Sequence, residues 1–122
     1  MDGWVFEAVR ERWQEVPGHD GAAYSKMFIS AKDARSQHFD FRLSCYQPKG
    51  AASSHRHRRV EQVYYVLEGE GLLTLDRDTF VLKPGSGAFI PPGVEHSIEN
   101  TGLGNLVFVV ATSPGNISSD DW

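Results

Sequence analysis

The chain has 122 residues, 40% hydrophobic and 23% charged, with 12 basic and 16 acidic side chains and a net charge of −4. That length holds a single domain, 1–122, around one core, and the composition excludes a disordered or fibrous chain. The acidic balance gives no broad attraction to nucleic acid, and the lone Cys45 excludes both an internal disulfide and a cysteine zinc cluster.

The first residues carry Asp2 and Glu7 without an apolar run, and nowhere do 18 apolar residues follow one another. A cytoplasmic protein without membrane contact is the expectation. Val5, Val9, Arg12, Trp13 and Val16 fall at helical spacing. Residues 1–23 are therefore either a short helix or an extended arm lying on a sheet or on a partner, with Trp4, Phe6 and Trp13 capping the core or a dimer seam. His19 falls in Pro17-Gly18-His19-Asp20-Gly21, which reads as an exposed turn. A first strand is predicted over 24–30. Over 38–46 the chain alternates, with Phe39, Phe41, Leu43 and Cys45 on one face and His38, Asp40, Arg42, Ser44 and Tyr46 on the other. That period of two predicts a strand whose apolar face enters the core, Cys45 buried with it. The polar face then either lines a barrel mouth or meets solvent.

Further strands are predicted over 62–67, 72–76, 79–82, 88–90, 96–100 and 106–111. The turns between them carry Gly69 and Gly71, Pro84-Gly85, Pro91-Pro92-Gly93, and Gly102 with Gly104. Many short strands at this spacing define an all-β sandwich or barrel, its core at about 24–112. Residues 113–122 lack periodicity and read as a mobile tail or lid. The glycosylation sequon Asn116-Ile117-Ser118 there is read as chance.

Five histidines occur, at 19, 38, 55, 57 and 96. On a strand His55 and His57 point the same way, Glu61 or Gln62 follows, and His96 lies just after a rigid turn. Imidazoles joined by an oxygen donor suit a divalent transition metal with open positions, whether Zn, Fe, Mn, Ni or Co.

Two segments within 50–100 resemble the motifs of the cupin superfamily. Gly85-x5-Pro91-x-Gly93-x2-His96-x3-Asn100 matches the second motif at each fixed position. His55-x-His57-x4-Gln62-x6-Gly69 matches the first, except that glutamine replaces the usual glutamate and Gly50 stands one residue too close to His55. The resemblance implies a double-stranded β-helix, a jelly-roll-like barrel with a metal inside one end. It carries His55, His57 and His96 over as ligands with Gln62 as the fourth. Glu61 is the rival, because it shares strand parity with the two histidines. Some cupins, such as uronate-ring-opening enzymes and polyketide cyclases, ligate through glutamine at this spacing. Small cupins also form homodimers.

Three imidazoles and an amide leave a bound dication with its full charge, which favours Lewis-acid work over stabilising oxidised iron. The expected function is a metal-dependent enzyme on a small oxygenated substrate, of cyclase, dehydratase, isomerase or lyase type. An Fe(II) dioxygenase and a non-catalytic small-molecule binder are the alternatives. If Gln62 points inward, so do Tyr64 and Val66, and Ile98 and Asn100 on a later strand. Tyr64 then becomes a proton donor or orienting hydroxyl, and His38 a base within reach of substrate. Arg56, Arg58 and Arg59 either draw an anion to the entrance or face solvent.

Overall fold

The structure, a computed structural model, describes residues 4–15, 19–31 and 36–115. Its strands are β1 (Gln14–Glu15), β2 (His19–Asp20), β3 (Ala23–Ile29), β4 (Asp40–Tyr46), β5 (Ala51–His55), β6 (Glu61–Glu68), β7 (Gly71–Leu75), β8 (Asp78–Leu82), β9 (Gly87–Ile90), β10 (His96–Asn100) and β11 (Leu106–Ser113). They form two antiparallel sheets, one ordered β1-β3-β4-β11-β6-β9 and the other β2-β5-β10-β7-β8. From β4 onward nearly every connection carries the chain from one sheet to the other, which winds the two into an all-β double-stranded β-helix. No helix among the described residues is long and apolar enough to cross a membrane.

Period-two burial places the core. Gln62, Tyr64 and Val66 of β6 are buried, as are Leu106, Phe108, Val110 and Thr112 of β11 and His96, Ile98 and Asn100 of β10. Tyr46, Leu73, Leu82 and Ile90 complete the apolar cluster between the sheets. Gly69 turns at φ +82°, and a Cβ there would collide with the Asn105 carbonyl, so only glycine fits where β6 leaves for β7.

In β4 the alternation is present but its sense is reversed. Ser44 and Tyr46 are 1% and 2% exposed and face the interior on the parity of Arg42, whereas Phe41, Leu43 and Cys45 are half-buried on the outer face. Phe39 lies before the strand and is exposed. The physical reason is the neighbours. Phe41, Ala111, Val63 and Phe89 stand opposite one another across β4, β11, β6 and β9, making the outer face an apolar row. Val63 and Phe89 on that row are 47% and 55% exposed.

The described N-terminal residues form the extended arm rather than the short α-helix. It holds one 3-10 turn at Ala8–Arg10, and β1 pairs antiparallel with β3. Phe6 stacks on Phe28 at 4.7 Å, Lys26 Nζ sits 4.6 Å over the Trp13 ring and donates to the Ala8 carbonyl at 2.8 Å. Val5 and Val9 are exposed, as is Trp4. His19 and Asp20 form a strand paired with Ala52 and Ala51, where a turn was expected; the turn is made by Gly21 at φ +70°. At the other end Ser113 Oγ and the Gly115 amide both donate to the His38 carbonyl. The sequon at Asn116 lies outside the described residues.

Candidate metal centre

β5 ends at His55, directly opposite His96 on β10. The two rings stand 4.2 Å apart between centroids. His57 is not on the strand as the spacing suggested; it lies in the loop beyond. Its carbonyl accepts the Gly93 amide at 2.7 Å, so the turn before β10 fixes the loop that carries it. The His57 ring lies 4.7 Å from that of His55 and 5.0 Å from that of His96. Each histidine offers a ring nitrogen, and the three nitrogens lie within 4.8 Å of one another.

Two rings are aimed by the backbone. His55 Nδ1 stands 2.6 Å from the Ser53 carbonyl and His96 Nδ1 3.0 Å from the Val94 carbonyl. A carbonyl only accepts, so each Nδ1 carries a proton, and in the neutral ring that leaves a lone pair on Nε2. His96 Nε2 is buried without a hydrogen-bond partner. A lone pair left so in the interior costs free energy unless something takes it. Burial, then the neighbouring His55 and His96, pushes His57 down to about 4 against a contact with Gln62; burial likewise lowers His96. Both are neutral near pH 7, the form that ligates. The donor set fits a divalent transition metal.

Gln62 lies inside, 2% exposed, whereas Glu61 faces outward. Gln62 Nε2 donates to Thr112 Oγ1 at 3.1 Å, and its Oε1 accepts from Tyr64 Oη at 3.3 Å. Residues 42–112 match the family model of the cupin domain.

The chain belongs to the cupin family.

Among its relatives is an oxalate-binding protein of Thermotoga maritima, 28% identical over 103 residues, 84% of this chain and 85% of that one. A match of 50% identity over 60 residues joins it to an uncharacterized protein of Methanocaldococcus jannaschii, and spans 48% of that relative's length. Its fold is similar to that of a predicted oxalate decarboxylase from Thermotoga maritima (TM-score 0.82, 24% identity, 90% of this chain and 98% of that one). It is also similar to the polyketide cyclase RemF from Streptomyces resistomycificus (TM-score 0.79, 24% identity, 96% and 87%).

The other residues singled out from sequence divide. Tyr64 is buried in this cupin with its ring 6.5 Å from that of His96. Burial pushes its hydroxyl up to about 12, with Arg42 acting against the rise. The phenol therefore stays protonated near neutral pH and donates. His38 is not brought to the triad: its side chain is exposed, and its backbone is tied to Ser113 at the barrel end that holds Gln62. Asn100 faces inward, but its amide is fully committed to backbone at the other end. Arg56 turns outward to Glu95 at 3.2 Å, where a hydrogen bond from Ser54 and then Arg56 itself lower the Glu95 carboxyl.

One interior residue escaped the sequence reading, and another was named there without a specific role. Thr112, which positions Gln62, continues the parity of Leu106, Phe108 and Val110 one step beyond the predicted end of that strand. Arg42 stood in the polar set of β4 that was expected either to line the barrel mouth or to meet solvent, and its Nε is buried inside the barrel.

Proposed function

We propose that this cupin is a metal-dependent enzyme acting on a small oxygenated substrate by non-redox chemistry of the cyclase, dehydratase, isomerase or lyase type. The observation that carries this reading is Gln62 inside and Glu61 outside, which supports a neutral amide rather than a carboxylate as the partner of the three imidazoles. A divalent transition metal (Zn, Fe, Mn, Ni or Co) held by His55, His57, His96 and Gln62 supplies Lewis acidity toward a carbonyl or enolate oxygen. The Ser53 and Val94 carbonyls keep two imidazoles in the ligating tautomer. Thr112 holds the Gln62 amide nitrogen, so the amide oxygen turns to the site. Tyr64 delivers a hydrogen bond or a proton to developing negative charge. A cytoplasmic setting belongs to the same reading.

A binding protein is the second reading, favoured by the likeness to the oxalate-binding protein of Thermotoga maritima. Elemental analysis of chelator-free protein beside His96→Ala, followed by a carbonyl-substrate screen in an oxygen electrode, separates them. Stoichiometric metal lost in the variant, with turnover and no oxygen uptake, is expected. Oxygen consumed in step with substrate would make it an Fe(II) dioxygenase. Ligand binding without turnover would make it a binder.

A homodimer through the outer face of the larger sheet is part of the proposal. The row of Phe41, Ala111, Val63 and Phe89 is uncharged. A two-fold contact sets a patch against its own copy, which an uncharged apolar row tolerates and a singly charged one does not. Light scattering should give twice the chain mass, and Val63→Asp with Phe89→Asp should halve it; a monomeric wild type would end the idea.

A further inference from the structure

We propose that Arg42 is the anion anchor of the barrel and that the site therefore takes small oxo- or hydroxycarboxylates, the carboxylate on Arg42 and the neighbouring oxygen at the histidines. This rests on the reading of the site as a small-molecule site and narrows its substrate class.

Register places the residue. Asp40, Thr112 and Gln62 stand opposite one another across β4, β11 and β6, and the next inward row is Arg42, Val110 and Tyr64. Arg42 is thus level with Tyr64 and one row deeper than Gln62. The two strands lie roughly 10 Å apart with β11 between them, a gap a long arginine and a tyrosine reach across over the small Val110. Its charge is felt at Tyr64, Tyr46 and His57, as an influence secondary to burial.

The carboxylate on the same face, Asp40, directs Oδ1 to the Ala31 amide at 2.8 Å. Arg42 Nε is buried with no hydrogen-bond partner. A guanidinium drawn into a barrel with an orphaned N–H is costly on its own. Its planar fork matches a carboxylate bidentately, and such charge-assisted pairs are about twice as strong as neutral ones. The arrangement stores a donor for an anion, with no hydrogen-bond acceptor for Arg42 Nε among the described residues.

The test is calorimetric and does not need turnover. Zinc-loaded wild type is titrated with pyruvate and lactate, each beside its amide, pyruvamide and lactamide. Wild type should bind at least one acid at least tenfold more tightly than the matching amide. Arg42→Gln should lose that preference and keep its zinc content, and Arg42→Lys should recover part of it. Arg42→Met should melt no lower than wild type, since a buried N–H without a partner is removed. Equal affinity for acid and amide, no binding of either acid, or undiminished acid binding in Arg42→Gln would each overturn the assignment. A collapse of thermal stability in Arg42→Met would show a structural role instead. Absence of turnover bears on the enzyme reading alone, because every readout here is binding or melting.

Discussion

His96 and Asn100 sit four residues apart on β10, both inward and both buried, yet the barrel treats their polar atoms in opposite ways. Asn100 Nδ2 donates to the Tyr46 carbonyl at 2.7 Å and to the Gly104 carbonyl at 2.8 Å, while Oδ1 accepts the Gly102 amide at 2.8 Å. Nothing on that side chain is left for a ligand. His96 commits Nδ1 to the Val94 carbonyl and leaves Nε2 with no partner. The closed end of the barrel is satisfied by its own backbone and makes the fold. The open end keeps donors and acceptors in reserve, at a cost of about 1–3 kcal/mol for each buried unsatisfied group.

The comparison breaks most visibly at His96. His96→Ala should remove stoichiometric metal, and turnover with it, by more than the roughly 10–100-fold that losing an outer hydrogen-bond partner costs. Metal-free variant and metal-free wild type should melt close together, because the substitution also deletes an orphaned acceptor. Elemental analysis beside a thermal melt checks both halves. A variant that keeps its metal but unfolds would place His96 with the scaffold.

Asn100→Ala should do the reverse. It strands two carbonyls and an amide, about 1 kcal/mol each, so about 3 kcal/mol of stability in all. That is a fall in Tm on the order of 10–20 °C for a domain of this size. Below the transition its metal content should equal that of wild type.

The two ends were not equally legible in the sequence. The histidines and Asn100 stand at motif spacings, and the turn glycines mark where strands stop, so the barrel and the triad could be read off directly. β4 could not. Alternation says that a strand has two unlike faces, and which one is inside depends on what its neighbours present. Here the outer residues of β6, β9 and β11 are apolar, and the apolar parity of β4 joins them, leaving Arg42, Ser44 and Tyr46 inside. β5 was invisible for another reason. Ala51-Ala52-Ser53-Ser54-His55 has no large side chain and no alternation, and it is a strand because β2 and β10 flank it. Orphaned atoms such as Arg42 Nε are a property of the assembled interior, so no local pattern announces them.

Tyr64→Phe sharpens the comparison inside the working end. Tyr64 Oη donates to Gln62 Oε1 from a buried position one row deeper. Removing it should leave metal content and fold intact while lowering kcat by about 10²-fold, the lower range for a positioned acid. Loss of metal instead would mean that the phenol holds Gln62 in place and nothing more.

The smallest effect concerns protons. In the metal-free protein burial, then His55 and His96, holds His57 down to about 4 from an ordinary 6.5. Between those values the unfolded chain binds the proton and the folded chain does not, so stability should fall as pH drops from 6.5 toward 4 and level off below. The contribution is complete above pH 6.5. Denaturant melts across that window should show the slope in wild type and a shallower one in His57→Ala. Asn100→Ala, which removes no titrating group, should lower the whole curve and keep its slope. With metal bound the fall should begin at higher pH and steepen, because protons then compete with the cation for the same nitrogens. If Asn100→Ala altered the slope while His57→Ala did not, the acid-sensitive groups would lie at the closed end, and the division of the barrel into a satisfied end and a reserved end would fail.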